Sequence, residues 1–393
     1  MLRGRYTSSA LILTGGGARA AYQVGVLRAI AELLPAAAPT PFRIVCGTSA
    51  GAINAASLAA ASNDFGRAVA TLESLWSRLC IGDIYGADFL HFIQRFGRWL
   101  LSRVSTSPRH SPGALLDNAP LARLLSREID FAAIRKGIDE HFLDALTITA
   151  SSYRTGMSVS FCAVSDEFPL WQRSQRIGVG AEIGTAHLLA SSAIPFIFSP
   201  VLIGDEFFGD GAMGQLAPTA PALHLGAERI LVIGAARTGN KTNDGPDAGF
   251  DSGRAPPSPA QIGGHVLASI FTDALGTDLE KVRLVNIAAR QIPPERLAAS
   301  PMPLREIALL VITPSIPLET LALAHLDALP LLLRLMLGGV RGIRTGGAGL
   351  LSYLLFESAY CKALIALGYQ DAQERREELI RHLSVAASTH PGA

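Results

Sequence analysis

The sequence predicts an α/β protein with helices on both faces of a mostly parallel sheet. Near the N-terminus, the apolar run SALILT leads into a glycine turn and then into a stretch whose apolar residues recur at helical spacing. The segment PFRIVCGTSAGAINAASLAAA repeats this plan of strand, turn and helix. Two later apolar runs, ERILVIGA and REIALLVITP, predict further strands. Strands that alternate with helices are typical of a sheet covered on both faces.

The domain organisation follows from the order of these patterns along the 393 residues. We expect a catalytic core at residues 8–235, within which the segment 81–139 could form a cap. The polar stretch at 236–260 is rich in Gly and Pro, and it predicts a flexible loop. Residues 261–393 are expected to form a helical extension that packs on the core and adds one late strand at 306–312.

Composition excludes several classes of function. The chain has 34 Lys and Arg against 33 Asp and Glu, so its net charge of +1 offers no general attraction for nucleic acid. Its four cysteines show no C-x-x-C spacing and no nearby histidine cluster, so no metal site or disulfide framework is indicated. No uninterrupted apolar run reaches the ~20 residues of a spanning helix. We therefore expect a cytoplasmic protein.

A serine lies in the turn between the second predicted strand and its helix. In GTSAG, the residues Gly47, Ser49 and Gly51 match G-x-S-x-G, in which small neighbours let strand and helix approach while the serine oxygen projects from a strained turn. The alternative is a glycine-rich turn with Ser49 as the helix N-cap. The strand before it and the helix after it favour a nucleophile.

Two kinds of partner could activate this serine. Asp210 ends an apolar strand in FFGDGAMGQLAP, and a partly apolar site would raise the basicity of its carboxylate, giving a Ser-Asp dyad. An ordinary Asp-Gly turn is the alternative for that residue. An α/β-hydrolase would use a histidine instead, but several strands usually precede its nucleophile. Among the later histidines, His141 and His187 look helical, which leaves His224 as the candidate.

The glycine turn after the first strand, TGGGARAAY, presents backbone N–H groups at the positive end of a helix, where a developing oxyanion would be stabilised. The residues concerned are the three consecutive glycines, Gly15, Gly16 and Gly17. The same turn fits the dinucleotide pattern G-x-G-x-x-A, but the second strand does not end in the acidic residue that would hold a ribose. Arg19 could enter the site, to hold a substrate phosphate or a structural carboxylate, or it could face solvent.

Four separated elements together resemble the patatin-like phospholipase family. They are GGGARAAYQVGVL, GTSAG, ASSAIPFIFSPV at 190–201 and DGA, and the resemblance spans about residues 10–220. The family often has Asp-Gly-Gly in the last element, where this chain has Ala212 as the third residue. The resemblance implies a three-layer α/β/α fold with a mostly parallel central sheet and an additional helical C-terminal region.

The resemblance also implies a site and a reaction. Ser49 would be the nucleophile, Asp210 the general base and the backbone from Gly15 to Ala18 the oxyanion hole. The reaction would be acyl-ester hydrolysis of the phospholipase A or lysophospholipase type, on a phospholipid or lysophospholipid, without a cofactor. A histidine-dependent α/β-hydrolase of soluble esters and a non-catalytic nucleotide-binding module are the alternatives.

Two apolar segments are candidates for membrane contact. In DFLHFIQRFGRWLLSRV, at 88–104, aromatic residues fall near one helical face and arginines lie elsewhere around the helix, which suits a lid or a membrane interface. A core helix with solvated arginines is the alternative. The apolar segment at 326–340 is a similar candidate. Either segment would give a peripheral contact at the inner membrane surface.

Overall fold

A mixed sheet organises the chain in this computed structural model. The described residues are 8–85, 118–165, 168, 170–195, 197–237, 259–293, 296, 305–329, 334 and 348–387. The segment 88–104, most of the predicted loop at 236–260 and most of the segment 326–340 lie outside the described residues. The proposed cap and the division into core, loop and extension stay predictions.

Ten strands form the sheet within the described residues. They are β1 (Ser9–Leu13), β2 (Ile44–Thr48), β3 (Ala145–Ser152), β4 (Ser158–Val164), β5 (Gln172–Arg173), β6 (Arg176–Gly180), β7 (Val201–Ile203), β8 (Glu206–Asp210), β9 (Arg229–Ile233) and β10 (Ala308–Ile312). The order is β10-β9-β1-β2-β3-β4-β6-β5, and the first five of these strands are parallel. β4 runs antiparallel to β3, while the hairpin β7–β8 joins the end of β3 through β8.

Helices connect these strands and cover both faces of the sheet. They are α1 (Ala21–Ala31), α2 (Ala50–Ala60), α3 (Phe65–Arg78), α4 (Ile81–Tyr85), α5 (Ala119–Glu128), α6 (Phe131–Asp139), α7 (Thr185–Ser191), α8 (Ala220–His224), α9 (Pro259–Arg290), α10 (Leu318–Ala324), α11 (Ala348–Leu354), α12 (Ser358–Glu374) and α13 (Arg376–Ala387). Short 3₁₀ helices occupy Gly17–Ala20 and Leu326–Ala328.

Alternate residues of each central strand enter different hydrophobic cores. In β1, Leu11 and Leu13 pack with α1, α2, α3 and α12, whereas Ala10 and Ile12 pack with α8 and α9 on the opposite face. Side chains alternate between the two faces because a strand is pleated with a period of two residues. Both faces of β1 are buried, which explains why the strand is continuously apolar. The predicted three-layer α/β/α fold with a mostly parallel sheet is confirmed.

The C-terminal region joins the core through close backbone contacts. Helix α12 lies against α1 so tightly that a Cβ atom on Gly25 would lie less than 3 Å from Ile365 O. A Cβ atom on Gly368 would meet Tyr22 O in the same way. The Tyr22 hydroxyl donates to Asp371 Oδ2 at 2.8 Å across this interface. A side chain at either glycine would therefore push the two helices apart.

None of the described helices by itself has both the length and the apolar composition to cross a membrane. Helices α11 and α12 meet these criteria only as a pair, bent by 96°.

We expect Gly25→Ala to lower the free energy of unfolding by about 1–3 kcal/mol, because the added methyl group overpacks the α1–α12 contact. Denaturant unfolding followed by circular dichroism measures this change. Gly276→Ala in α9 is the matched control, since nothing lies within 4 Å of its added Cβ. It should leave stability unchanged or raise it by up to ~1 kcal/mol. Equal stability of the two variants would contradict the proposed close packing.

Candidate active site

Ser49 occupies a strained turn between β2 and α2. Its φ of 54° and ψ of −130° lie in a region that a non-glycine residue rarely adopts, at a cost on the order of 1–3 kcal/mol. A Cβ atom on Gly47 would collide with Ala52 Cα, and one on Gly51 with Leu13 O. Both glycines of the motif are therefore required by close backbone approach. Ser49 stands at the N-cap position, but its side chain makes no capping hydrogen bond.

Ser191 stabilises the nucleophile turn through two hydrogen bonds of its side chain. Its Oγ accepts a hydrogen bond from the Ser49 backbone N–H at 2.9 Å and donates to Thr149 O at 2.6 Å. This buried hydroxyl thus connects the turn to the end of β3. The small-residue block around Ser191 stands out in the sequence, where it has no assigned role. The pair of serines, Ser191 and Ser192, in an otherwise small and apolar block was the available sequence signal.

Asp210, the last residue of β8, meets Ser49 across 161 positions of sequence. Its Oδ2 accepts a hydrogen bond from Ser49 Oγ at 2.7 Å, and its Oδ1 accepts one from the Ala212 backbone N–H at 2.8 Å. The pairing of β8 with β3 brings the carboxylate to this position, because Asp210 lies opposite Ala150. A Cβ atom on Gly211 would collide with Thr149 O, so the residue after the aspartate must be glycine.

The environment of Asp210 makes its carboxylate basic. Burial raises the pKa of Asp210 to about 7, although the hydrogen bonds from Ser49 and Ala212 act in the opposite direction. Its side chain has no exposed surface, and Ser49 is 2% exposed. A carboxylate with a pKa near neutrality holds a proton much more firmly than an ordinary aspartate, which suits a group that must accept one.

The glycine turn lies between β1 and the 3₁₀ helix at Gly17–Ala20, which continues into α1. The first N–H groups of such a helix have no acceptor within the helix. A Cβ atom on Gly16 would lie less than 3 Å from Ala235 Cβ, and one on Gly17 would collide with Tyr353 O. Gly17 also has a φ of 54°, which favours glycine. Side chains are thus excluded at both positions.

The family model for patatin-like phospholipases matches residues 11–223 of this chain. The chain belongs to the patatin-like phospholipase family. No curated protein matches it in a sequence search.

Two solved structures that are similar to this patatin-like chain have low sequence identity to it. VipD from Legionella pneumophila is 13% identical with a TM-score of 0.34, and the match covers 79% of this chain and 61% of that one. Human GIVD cytosolic phospholipase A2, in complex with methyl gamma-linolenyl fluorophosphonate, is 12% identical with a TM-score of 0.45. That match covers 98% of this chain and 59% of the human one. The patatin-like chain thus spans about three fifths of the length of each of these two proteins.

A buried polar network, which the sequence analysis missed, joins the glycine turn of this patatin-like protein to α2. Gln23 Nε2 donates to Thr14 O at 2.8 Å, and Asn54 Nδ2 donates to Gln23 Oε1 at 2.9 Å and to Ala20 O at 3.1 Å. Trp76 Nε1 completes the network by donating to Asn54 Oδ1 at 2.8 Å. The two fully buried amides therefore hold the turn and the serine helix together. In the sequence, the only indication of this network is that Gln23 and Asn54 are each a polar residue on an otherwise apolar helix face.

Arg19 is buried, and its guanidinium contacts the C-terminal region of the patatin-like fold. Nη2 forms an ion pair with Glu319 Oε1 at 2.6 Å, and Nε donates to Ser352 Oγ at 2.8 Å. The group also stacks on the Tyr353 ring, 3.9 Å from its centroid. Of the alternatives considered from the sequence, these contacts match a structural carboxylate. A role for Arg19 in binding substrate stays a prediction.

Two of the later histidines, His187 and His224, each contact an aromatic ring. His224 stacks on Trp171 with ring centroids 5.0 Å apart, and burial, together with nearby arginines, lowers its pKa to about 4. His187 Nδ1 accepts a hydrogen bond from the Gly184 N–H at 3.1 Å, next to Phe161. Across the described ranges, no histidine forms a hydrogen bond with Ser49. The structure thus brings together Ser49 and Asp210, and no histidine of the described residues is hydrogen-bonded to either.

We expect Asp210→Asn to gain stability relative to the wild type as the pH rises from 5 to 8. Folding raises the pKa of this carboxyl from its ordinary value near 4, so the cost of burying the charge is absent below about pH 4 and complete above about pH 7. The neutral amide does not carry this cost. The difference in unfolding free energy should grow by about 2–3 kcal/mol between pH 5 and pH 8.

Denaturant unfolding of both proteins at each pH measures this difference. Asp205→Asn, in the same hairpin but with a side chain 89% exposed, is the control and should show no such growth. A pH-independent difference for Asp210→Asn would mean that the native carboxyl titrates like an exposed one.

Proposed function

We propose that this chain hydrolyses carboxylic esters of phospholipids or lysophospholipids with Ser49 and Asp210 as its catalytic dyad. The hydrogen bond from Ser49 Oγ to Asp210 Oδ2, 2.7 Å long, is the observation that carries the proposal. It joins a hydroxyl in a strained turn to a buried carboxylate whose pKa is raised to about 7. Membership of the patatin-like phospholipase family supports a lipid ester as the substrate.

The first half of the reaction forms an acyl-enzyme. Ser49 Oγ attacks the ester carbonyl carbon while Asp210 Oδ2 accepts the hydroxyl proton, which gives a tetrahedral intermediate with negative charge on the former carbonyl oxygen. The intermediate collapses when the bond to the alcohol oxygen breaks. Protonated Asp210 then returns its proton to the departing alkoxide, so the alcohol leaves neutral.

The second half releases the fatty acid. A water molecule attacks the acyl-enzyme carbonyl as Asp210 accepts one of its protons, and collapse of the second intermediate breaks the bond to Ser49 Oγ. Asp210 gives this proton back to the serine oxygen, which restores the starting state. The carboxyl thus acts as base and then as acid in each half, which is efficient when its pKa is near the working pH.

Backbone amides of the glycine turn are proposed to stabilise both intermediates. Gly15, Gly16, Gly17 and Ala18 precede or begin a helix, where the dipole is positive and the first N–H groups lack helical acceptors. Absent side chains at Gly16 and Gly17 let the backbone approach closely. Loss of one such donor typically costs about 10²–10³-fold in turnover, so this term is large.

We expect Ser49→Ala and Asp210→Asn each to reduce ester hydrolysis at least about 10³-fold while the circular dichroism spectrum stays unchanged. The assay measures fatty acid released from lysophosphatidylcholine micelles and from a short-chain neutral ester. The matched controls are Ser57→Ala, in the helix α2 that follows the nucleophile turn, and Asp205→Asn. Both should retain most activity. Full activity of Asp210→Asn would redirect the search for a base to His224.

The pH dependence provides an independent test. Because Asp210 must be deprotonated to accept the serine proton, kcat/KM should be constant above about pH 7 and should fall about tenfold per unit below it. Rates on a neutral ester between pH 5 and pH 9 measure this profile, with stability checked at each pH. A profile that stays flat down to pH 5 would exclude Asp210 as the base.

A further inference from the structure

A cavity of about 160 Å³ lies beside the loop that follows Asp210. Its polar lining consists of Ser158, Gln175, Arg176, Gln215 and Lys281. The volume is several times the ~30 Å³ that one water molecule occupies in the liquid and smaller than the roughly 300–1,000 Å³ of a cleft for a drug-sized ligand. The cavity therefore suits a small polar group.

This cavity is at the same edge of the sheet as the nucleophile turn. Ser158 begins β4 and pairs directly with Arg176 at the start of β6, and β4 runs antiparallel to β3. The starts of β4 and β6 therefore lie at the edge where β2 and β3 end. Gln215 connects the two places, because its Oε1 accepts a hydrogen bond from Thr48 Oγ1 at 3.0 Å, and Thr48 directly precedes Ser49.

Among the described residues, the lining carries two positive charges and no carboxylate. Within the part of the chain that the structure describes, the side chains of Arg176 and Lys281 form no ion pair and no hydrogen bond with protein groups. The Nε atom of Arg176 is buried without a hydrogen-bond partner. A buried donor without an acceptor is costly, on the order of 1–3 kcal/mol, so an anion that accepted this N–H would remove the cost.

One nearby carboxylate offsets only part of this charge. Asp278 interacts electrostatically with both Arg176 and Lys281, but its Oδ2 accepts two hydrogen bonds from Thr219, from the backbone N–H at 2.8 Å and from Oγ1 at 2.6 Å. Burial raises the pKa of Asp278. Asp278 thus anchors the loop before α8 to α9, and the cavity keeps a net positive charge.

We propose that this cavity binds the phosphate of a phospholipid headgroup while the ester lies at Ser49, an inference that rests on the proposed function. The guanidinium of Arg176 presents a fork of donors that matches phosphate oxygens, and Lys281 adds a compact positive charge. Gln215 Oε1 is already occupied by Thr48, so the amide Nε2 of the same side chain is the group left to donate. An inorganic phosphate ion has the same chemistry, and the experiment separates these two sources.

The first arm compares two single-chain esters that carry the same acyl group, lysophosphatidylcholine and monoacylglycerol. We expect Arg176→Gln/Lys281→Gln to lower the ratio of their kcat/KM values, phospholipid over glyceride, at least about tenfold, since charge-assisted hydrogen bonds would be lost. Arg173→Gln/Arg283→Gln removes two exposed arginines from the neighbouring strand and the same helix and is the matched control. Its ratio should stay within about twofold of wild type. An unchanged ratio in the cavity variant overturns the proposal.

The second arm titrates inorganic phosphate into Ser49→Ala protein with and without the cavity substitutions, by calorimetry. Binding that the cavity substitutions abolish, together with a lowered ratio in the first arm, supports the headgroup site. Cavity-dependent binding with an unchanged ratio means that free phosphate is the ligand and overturns the lipid assignment. If the wild type hydrolyses neither ester, the proposed function is wrong. If the Ser49→Ala protein binds no phosphate, the proposed anion site is wrong.

Folding of the variants is checked by thermal unfolding. Lys281→Gln alone changes an exposed position of α9, so it tests the site even if substitution of Arg176 destabilises the protein. We expect this single variant to lower the ratio about threefold to tenfold, and an unchanged ratio in a folded Lys281→Gln protein contradicts the role of Lys281.

Discussion

The hydrogen bond between Ser49 and Asp210 is the contact on which the proposed chemistry depends. Neither residue can reach the other without the sheet, since Ser49 directly follows β2, Asp210 ends β8, and β3 pairs with both strands. The order of strands therefore determines the distance between hydroxyl and carboxylate. The same burial that protects this contact raises the pKa of the carboxylate, so position and basicity have one structural cause.

Glycine recurs around the site for a steric reason. Added Cβ atoms at Gly47, Gly51 and Gly211 would each collide with backbone atoms of a neighbouring segment. Backbones that approach this closely leave room for no other residue, and the close approach lets a short serine side chain meet an aspartate. The strained φ of Ser49 is sustained by such contacts and by the hydrogen bond to Ser191 Oγ.

The C-terminal region shapes the glycine turn although it lies beyond the residues matched by the family model. Tyr353 O packs where a side chain at Gly17 would be, while Arg19, two residues further, pairs with Glu319 and Ser352. Helix α12 packs on α1, which follows the turn. The conformation of the turn is thus coupled to residues 300 and 333 positions away in sequence.

The sequence by itself determined the fold class and predicted Ser49 and Asp210 as candidate residues, because strand and helix periodicity and the turn motifs are local properties that each segment carries alone. It could not determine the partner of Arg19, the support from Ser191 or the network of Gln23 and Asn54, since each depends on segments that meet only in the folded chain. The pKa of Asp210 was likewise decided by tertiary structure, because desolvation depends on everything packed around the carboxylate and no short stretch of sequence encodes that surrounding.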